Sequence, residues 1–390
     1  MVEKPQSLVW AAVVRFMTVA LFFDALAPLF PLMATSNGLS PAFFQILLGT
    51  CYLIFAFSQL TSVSIINMIG LYRSSATSCL YLGLATVALS LIQNPNVFII
   101  IFLSMFVANS IGSNATRVIL REATNESGYK RLIGWATSLV EIKQIAMPFI
   151  AGVVAAKYGW RFAVVLLVIP VVSAGIWLEF VDQKHRAQSY IKPTENKNSK
   201  KSGWLALMVM PTFYIPTLTL AAFQIAFSLL VVSLPFILFE EAKLPQAVIG
   251  LILSADNGFV AICLFLSGYL APYCSSDRLL NIGIIIMAIG IIIIGLSFLL
   301  GIYYAIIGII IFNGAFGFIT VPCSGDILNI SEPLRTKASS LLGFVQTISG
   351  GIFVGLFGLF KIPLIKGTII VAIISITLIV TIKVISWRKC

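Results

Sequence analysis

The residues Phe22-Phe23-Asp24-Ala25-Leu26-Ala27-Pro28-Leu29-Phe30-Pro31 lie inside an apolar run that extends from about residue 8 to about residue 35. A helix of roughly 20 apolar residues crosses the ~30 Å hydrocarbon core of a bilayer. Asp24 falls near the middle of this run, where a carboxylate costs about 3 kcal/mol on insertion scales. Its side chain must therefore face protein, water or a bound molecule. Pro28 and Pro31 loosen the helix beyond it, which suits binding and movement. The alternative is a buried Asp24 that only packs helices.

The rest of the sequence repeats this apolar character. Of its 390 residues, 59% are hydrophobic and 10% are charged, whereas soluble domains contain about 25% charged residues. The runs are continuous rather than alternating, which excludes an outer-membrane barrel. Twelve spans are predicted, at about residues 8–35, 42–66, 74–93, 97–120, 132–156, 161–181, 213–239, 247–271, 280–300, 303–325, 338–360 and 367–386. The sequence therefore predicts an all-α membrane protein with 12 transmembrane helices.

The net charge of +11 reflects topology rather than nucleic-acid binding. If the N-terminus is cytoplasmic, 19 of the 25 Lys and Arg residues fall on the cytoplasmic side, as the positive-inside rule requires. Both termini are then cytoplasmic. The six cysteines show neither metal-ligand spacing nor a disulfide framework.

One long polar segment divides the spans six and six. Residues 182–203 form a predicted cytoplasmic linker between an N-terminal six-helix bundle, residues 1–181, and a C-terminal six-helix bundle, residues 204–390. The two bundles share a weak repeat. In the N-terminal bundle, Pro31 is followed eight residues later by Leu39-Ser40-Pro41 at the start of span 2, and in the C-terminal bundle, Pro235 is followed nine residues later by Leu244-Pro245-Gln246 at the start of span 8. Two pseudo-symmetric bundles indicate a transporter with its site near the midplane.

Several short motifs sharpen this interpretation. The sequence resembles the major facilitator superfamily and, within it, the Bcr/CflA type of drug:proton antiporters. The residues that carry the resemblance are Asp24 with Pro28 and Pro31, Gln45, Gln59-Leu60, residues 116–122, Pro148 and Gly152 with Gly159-Trp160-Arg161, residues 233–238 around Pro235, and residues 338–351. The resemblance implies two rocking bundles, and Pro28, Pro31, Pro148, Gly152 and Pro235 as gating positions.

The loop between spans 2 and 3 departs from the family pattern. Only Gly70 and Arg73 of its gating motif are present, and Asn67 stands where the family has an Asp. The Arg that the family places near Phe106, implicated there in proton coupling, is also absent.

Other ionisable residues lie at depth in the predicted spans. Glu141 and Lys143 point to different sides of span 5, so each needs its own partner. Asp256, beside Asn257, lies midway along span 8, and we hypothesise that it pairs with Lys143 or Glu141 in one conformation. A static structural pair is the alternative. Arg117, near the end of span 4, is a candidate contact for an anionic substrate or for Glu141.

These observations predict a proton-coupled exporter of a small organic molecule such as a drug, metabolite or siderophore. The alternatives are a proton-coupled importer of a nutrient such as an amino acid and, less favoured, a non-transporting membrane sensor. No metal, Ser-His or nucleotide motif indicates an enzyme. The expected energy source is a proton gradient, without a cofactor. The expected partners are the substrate and the lipid bilayer, not nucleic acid, and the expected state is a monomer in a bacterial inner membrane.

Overall fold

The computed structural model describes the backbone of residues 10, 13–15, 25–122, 126–185, 207, 209–328 and 334–387. Within these helices, the side chains of residues 63, 117, 120–122, 126–139, 141, 181–185, 328, 334–337, 339–340 and 386–387 lie outside the description. The described part of the chain consists of helices joined by short turns, without strands, so the all-α prediction is confirmed.

The helices follow the predicted spans closely. Among the described residues we number twelve helices: α1 Phe30–Ser36, α2 Pro41–Ile69, α3 Leu71–Leu91, α4 Pro95–Glu122, α5 Glu126–Tyr158, α6 Trp160–His185, α7 Pro211–Phe236, α8 Gln246–Leu270, α9 Ser276–Leu300, α10 Ile302–Leu328, α11 Leu334–Phe360 and α12 Leu364–Trp387. A 3-10 turn, Ala27–Leu29, leads into the short helix α1, and a π-helical turn, Ile237–Glu241, follows α7.

Length and composition support the membrane assignment. Among the described residues, ten helices are long and apolar enough to cross a membrane. They are α2, α3, α4, α6, α7, α8, α9, α10, α11 and α12. The described part of the predicted first span comprises residues 10 and 13–15 and the stretch from residue 25 that contains the 3-10 turn and α1, and α5 occupies the predicted fifth span.

The chain forms two compact units. Unit 1 comprises Met1–Ser40, Ile54–Thr194 and Pro245–Ser254, and unit 2 comprises Pro41–Leu53, Glu195–Leu244 and Ala255–Cys390. In unit 1, α3 packs against α4 and α6, while α5 packs against α6 and the 3-10 turn. In unit 2, α7 packs against α10, α11 and α12, and α9 packs against α10 and α12. The predicted boundary at residues 182–203 stays a prediction, because most of that segment lies outside the described residues.

Gly70 makes the turn between α2 and α3. Its φ of +98° and ψ of 150° lie in a region that is essentially restricted to glycine. We expect Gly70→Ala to lower the free energy of unfolding by about 1–3 kcal/mol because alanine is strained there. Thermal unfolding in detergent measures the change. The matched control is Gly268→Ala, at a helical glycine where an added Cβ meets open space; equal stability of the two variants would contradict the prediction.

Candidate functional site

The stretch after Asp24 breaks the first span. Asp24 itself lies outside the described residues. Pro28 and Pro31 occupy the first turns of the 3-10 element and of α1, where a missing N–H is tolerated, and both side chains are buried. Helix α1 ends at Ser36, and Gly38, whose φ is +65°, turns the chain beyond it. The chain that follows Asp24 is therefore a 3-10 turn and a two-turn helix rather than one continuous long helix.

A glutamine at the start of α8 holds this break. The side-chain amide of Gln246 donates a hydrogen bond to the carbonyl oxygen of Pro28. Within unit 2, Gln45 near the start of α2 plays a similar part, since its Nε2 lies 3.4 Å from Ser233 Oγ, two residues before Pro235. Phe44 packs on Phe236 there, with ring centroids 5.9 Å apart. The proline-containing ends of spans 1 and 7 are thus each contacted by a glutamine from the first turns of another span.

Helices α5 and α8 approach backbone to backbone in unit 1. A Cβ added to Gly152 would lie 2.7 Å from the Gln246 carbonyl oxygen and 2.9 Å from the Gly250 Cα. One turn away, Pro148 removes a backbone donor, and the next N–H, that of Phe149, donates to Ser254 Oγ at 2.9 Å. Pro148 and Gly152 therefore mark a tight contact with α8, at the position where the resemblance predicts gating residues.

The predicted charged residues are only partly described. Lys143 and Asp256 are buried, with 6% and 4% of their surfaces exposed, and Asn257 is half-buried. Arg117 and Glu141 lie on α4 and α5, but their side chains lie outside the description. Lys143 belongs to unit 1 and Asp256 to unit 2, so the predicted ion pair stays a hypothesis. Arg73 is exposed in the first turn of α3.

The carboxylate of Asp256 has a partner that the sequence alone did not identify. Asn313 Nδ2, on α10, lies 3.1 and 3.0 Å from the two carboxylate oxygens. Asn313 is fully buried. A lone amide in the apolar run of α10 is a signal that could have identified it, because polar side chains inside a membrane span need a partner.

Arg15, one of the 19 Lys and Arg residues that the sequence analysis assigned to the cytoplasmic side, is a second residue whose hydrogen-bonding partner the sequence did not reveal. It is fully buried, and its Nη2 donates to Ser78 Oγ at 3.0 Å. Ser75 and Thr116 form a hydrogen bond of 2.8 Å in the same unit. The enclosed guanidinium of Arg15 therefore contributes to helix packing in unit 1.

The Gln246 contact gives a testable prediction. A neutral hydrogen bond contributes about 0.5–1.5 kcal/mol, so losing it shifts a two-state equilibrium about 2- to 10-fold. We expect Gln246→Leu to change the transport rate by a factor of about 2 to 10. The control is Val248→Leu, at an exposed position on the same helix. Identical rates for Gln246→Leu and the wild type would exclude a role for this contact in transport.

One family match covers most of the chain. The sequence matches the Major Facilitator Superfamily over residues 12–382. No curated protein matches it.

Three solved transporters share the fold. The peptide transporter POT, a mutant in complex with sulfate, has a TM-score of 0.76 at 12% identity, covering 98% of this chain and 95% of its own. A bacterial homologue of the iron transporter ferroportin, in an inward-facing state, has a TM-score of 0.71 at 16% identity, covering 99% of this chain and 98% of its own. A bacterial homologue of the human lysosomal transporter Spinster, inward-facing and unoccupied, has a TM-score of 0.67 at 14% identity, covering 91% of this chain and 81% of its own.

At such low identity the likeness shows the fold alone, and it confirms the predicted 12-helix membrane fold. The family match also confirms the prediction of a transporter rather than an enzyme. The chain therefore belongs to the Major Facilitator Superfamily.

Proposed function

We propose that this transporter exports a small organic molecule in exchange for protons, as the resemblance to Bcr/CflA-type antiporters implies. The observation that carries the proposal is Asp24, an ionisable residue in the middle of the first span and followed by a proline-broken segment. Protonation lowers the cost of the state in which this side chain is shielded from water, and ionisation favours the other state. Proton binding and release thereby bias alternating access.

The described contacts support a moving element at this position. A continuous helix satisfies its own backbone groups, whereas the 3-10 turn at Pro28 has its carbonyl oxygen bound by the side chain of Gln246. A hydrogen bond to a side chain can break without unfolding the helix that supplies it. The first span can therefore change its packing against α8 at low cost.

The proposed direction rests on the stretch Pro148 to Gly152, which resembles the antiporter motif. This stretch is in backbone contact with α8 through Gly152 and Gly250. Arg117 and Glu141 remain proposed substrate or proton contacts, on the energetic cost of charge at depth. The proposed setting is a bacterial inner membrane, with both termini cytoplasmic and the transporter acting as a monomer. The proton gradient supplies the energy, without a cofactor, and nucleic acid is not a partner.

Import of a nutrient is the second candidate. The loop between α2 and α3 retains only Gly70 and Arg73 of the family motif, and Asn67 replaces its acidic residue. This departure weakens the antiporter resemblance without affecting the alternating-access fold. The same architecture then supports proton-driven uptake of a compound such as an amino acid.

Metabolite profiling tests the proposal whatever the chemical identity of the cargo. Cells that overproduce the wild type are compared with cells that produce equal amounts of Asp24→Asn, in both the cell extract and the spent medium. A compound enriched outside by the wild type alone supports export. Enrichment inside the cells supports import and contradicts the antiport proposal. Vesicles loaded with the identified compound then show whether its flux carries protons.

A further inference from the structure

Asp256 and Asn313 form an isolated polar pair in an apolar part of unit 2. Asp256 lies near the middle of the 25-residue helix α8, and Asn313 lies near the middle of the 27-residue helix α10. The pair is enclosed, with 4% of Asp256 and 0% of Asn313 exposed. On α10, Phe312 stacks on Phe223 with an interplanar angle of 8°. Among the described residues of unit 2, the side chains of Asp256 and Asn313 form hydrogen bonds only with each other.

Unit 2 has no described positive charge near this carboxylate. Asp256 is the only charged residue of α8, α7 carries none between Pro211 and Phe236, and residues 341–360 of α11, which also packs against α10, carry none. On α10 the only charged residue is Asp326, which lies 13 residues beyond Asn313 and so roughly 20 Å away along the helix. On α9, which packs against α8 around Cys263, the charged residues Asp277 and Arg278 lie in the first turn. An ionised Asp256 therefore depends on the amide of Asn313 among the described residues of unit 2.

Within unit 1, α5 packs against the first turns of α8 at Gly250 and Ser254. Its ionisable residues at depth are Glu141 and Lys143, the predicted alternative partners of Asp256. A test of the pair must therefore distinguish an amide partner from a lysine partner.

The amide of Asn313 is only half satisfied. Its Nδ2 donates to both carboxylate oxygens, while its Oδ1 is buried and accepts no hydrogen bond from the described residues. A buried acceptor without a donor costs about 1–3 kcal/mol. An ionised carboxylate has no proton to offer this oxygen. A protonated carboxyl group does have one, so the missing donor is what a bound proton would supply.

We propose that Asp256 and Asn313 form a proton-binding acid–amide pair within the C-terminal half, an inference that rests on proton coupling as the proposed function. A proton from the aqueous phase binds one carboxylate oxygen and removes its negative charge. The amide then turns about its Cβ–Cγ bond. The new O–H donates to Asn313 Oδ1, and Nδ2 keeps one hydrogen bond to the other carboxyl oxygen. Each polar group of the pair then has a partner, and the charge is zero.

Difference infrared spectroscopy of the purified transporter in lipid tests the pair without any cargo. We expect the carbonyl band of a protonated carboxylic acid to grow as the pH falls from about 9 to about 5, a range that covers buried carboxyl groups. The part of this band that Asp256 contributes is lost in Asp256→Asn, while any part contributed by Asp24 stays. In Asn313→Leu it shifts to higher wavenumber, because the acid has lost its amide partner. If Asn313→Leu does not fold, Asn313→Ala, which also removes the amide partner, replaces it.

Three results would overturn the pair. One is a spectrum in which the wild type and Asp256→Asn do not differ at any pH. Another is a band that depends on Asp256 but stays at the same wavenumber in the Asn313 variants. The third is a band that is absent in the wild type and appears in Lys143→Gln. That result would mean that Asp256 of the wild type is ionised and paired with Lys143. The expected spectra combined with flux that carries no protons would instead refute the proposed function and leave the proton site standing.

Discussion

Asp24→Asn is expected to abolish accumulation driven by a pH gradient while leaving exchange of cargo across the membrane intact. A carboxylate in the middle of a span costs about 3 kcal/mol, which corresponds to a change of about 100-fold in the ratio of two conformations. Asparagine has almost the shape of the protonated acid but cannot lose a proton. The variant therefore keeps alternating access and loses the step that the gradient drives.

The assay uses vesicles containing the reconstituted transporter and the compound found by profiling. We expect cargo counterflow at equal pH to persist in Asp24→Asn, and the accumulation ratio under a pH gradient to fall to about 1, a loss of up to about 100-fold. Asp24→Glu, which retains a carboxyl group, is expected to restore part of the accumulation. Asp277→Asn is the matched control, because its side chain is 66% exposed at the start of α9. Accumulation at the wild-type level in Asp24→Asn would show that Asp24 does not couple transport to protons.

The spans were predictable because bilayer thickness sets their length and composition. The predicted eighth span, 247–271, differs by one residue at each end from α8, Gln246–Leu270. The start of α3 was displaced by three residues, because Gly70 turns the chain sharply and the helix begins at Leu71 rather than at residue 74. Hydropathy does not detect such a turn, since Leu71 and Tyr72 differ little from the helix that follows.

The side-chain partners were not predictable from periodicity. The sequence marked Asp256 by its cost in an apolar helix, but its partner Asn313 lies 57 residues away on another helix. Likewise Gln45 was recognised only as part of a motif, whereas its contact with Ser233 spans 188 residues. Such pairs depend on how helices pack, and neither helical periodicity nor residue cost specifies the packing. Charge at depth therefore indicates that a partner exists without identifying it.

Gly152 offers the sharpest test of how the transporter closes. The proposed topology, with both termini cytoplasmic, puts the C-terminal end of α5 and the N-terminal end of α8 on the outer side of the membrane. These two ends are in backbone contact at Gly152 and Gly250. A Cβ at Gly152 meets the carbonyl oxygen of Gln246 at 2.7 Å, and a backbone oxygen cannot rotate away as a flexible side chain can. Any larger side chain must therefore separate the helices.

We expect Gly152→Leu to reduce transport by about 10- to 100-fold, because overpacking costs about 1–3 kcal/mol or more and falls on the conformation in which these ends touch. A cysteine introduced at Val248, on a background without the native cysteines, should react faster with a membrane-impermeant thiol reagent added outside. The matched control is Gly268→Leu, on α8, where an added Cβ meets open space and wild-type behaviour is expected. If Gly152→Leu transports and labels like Gly268→Leu, the contact between α5 and α8 does not close the outer side, and the gating role proposed for Pro148 and Gly152 is wrong.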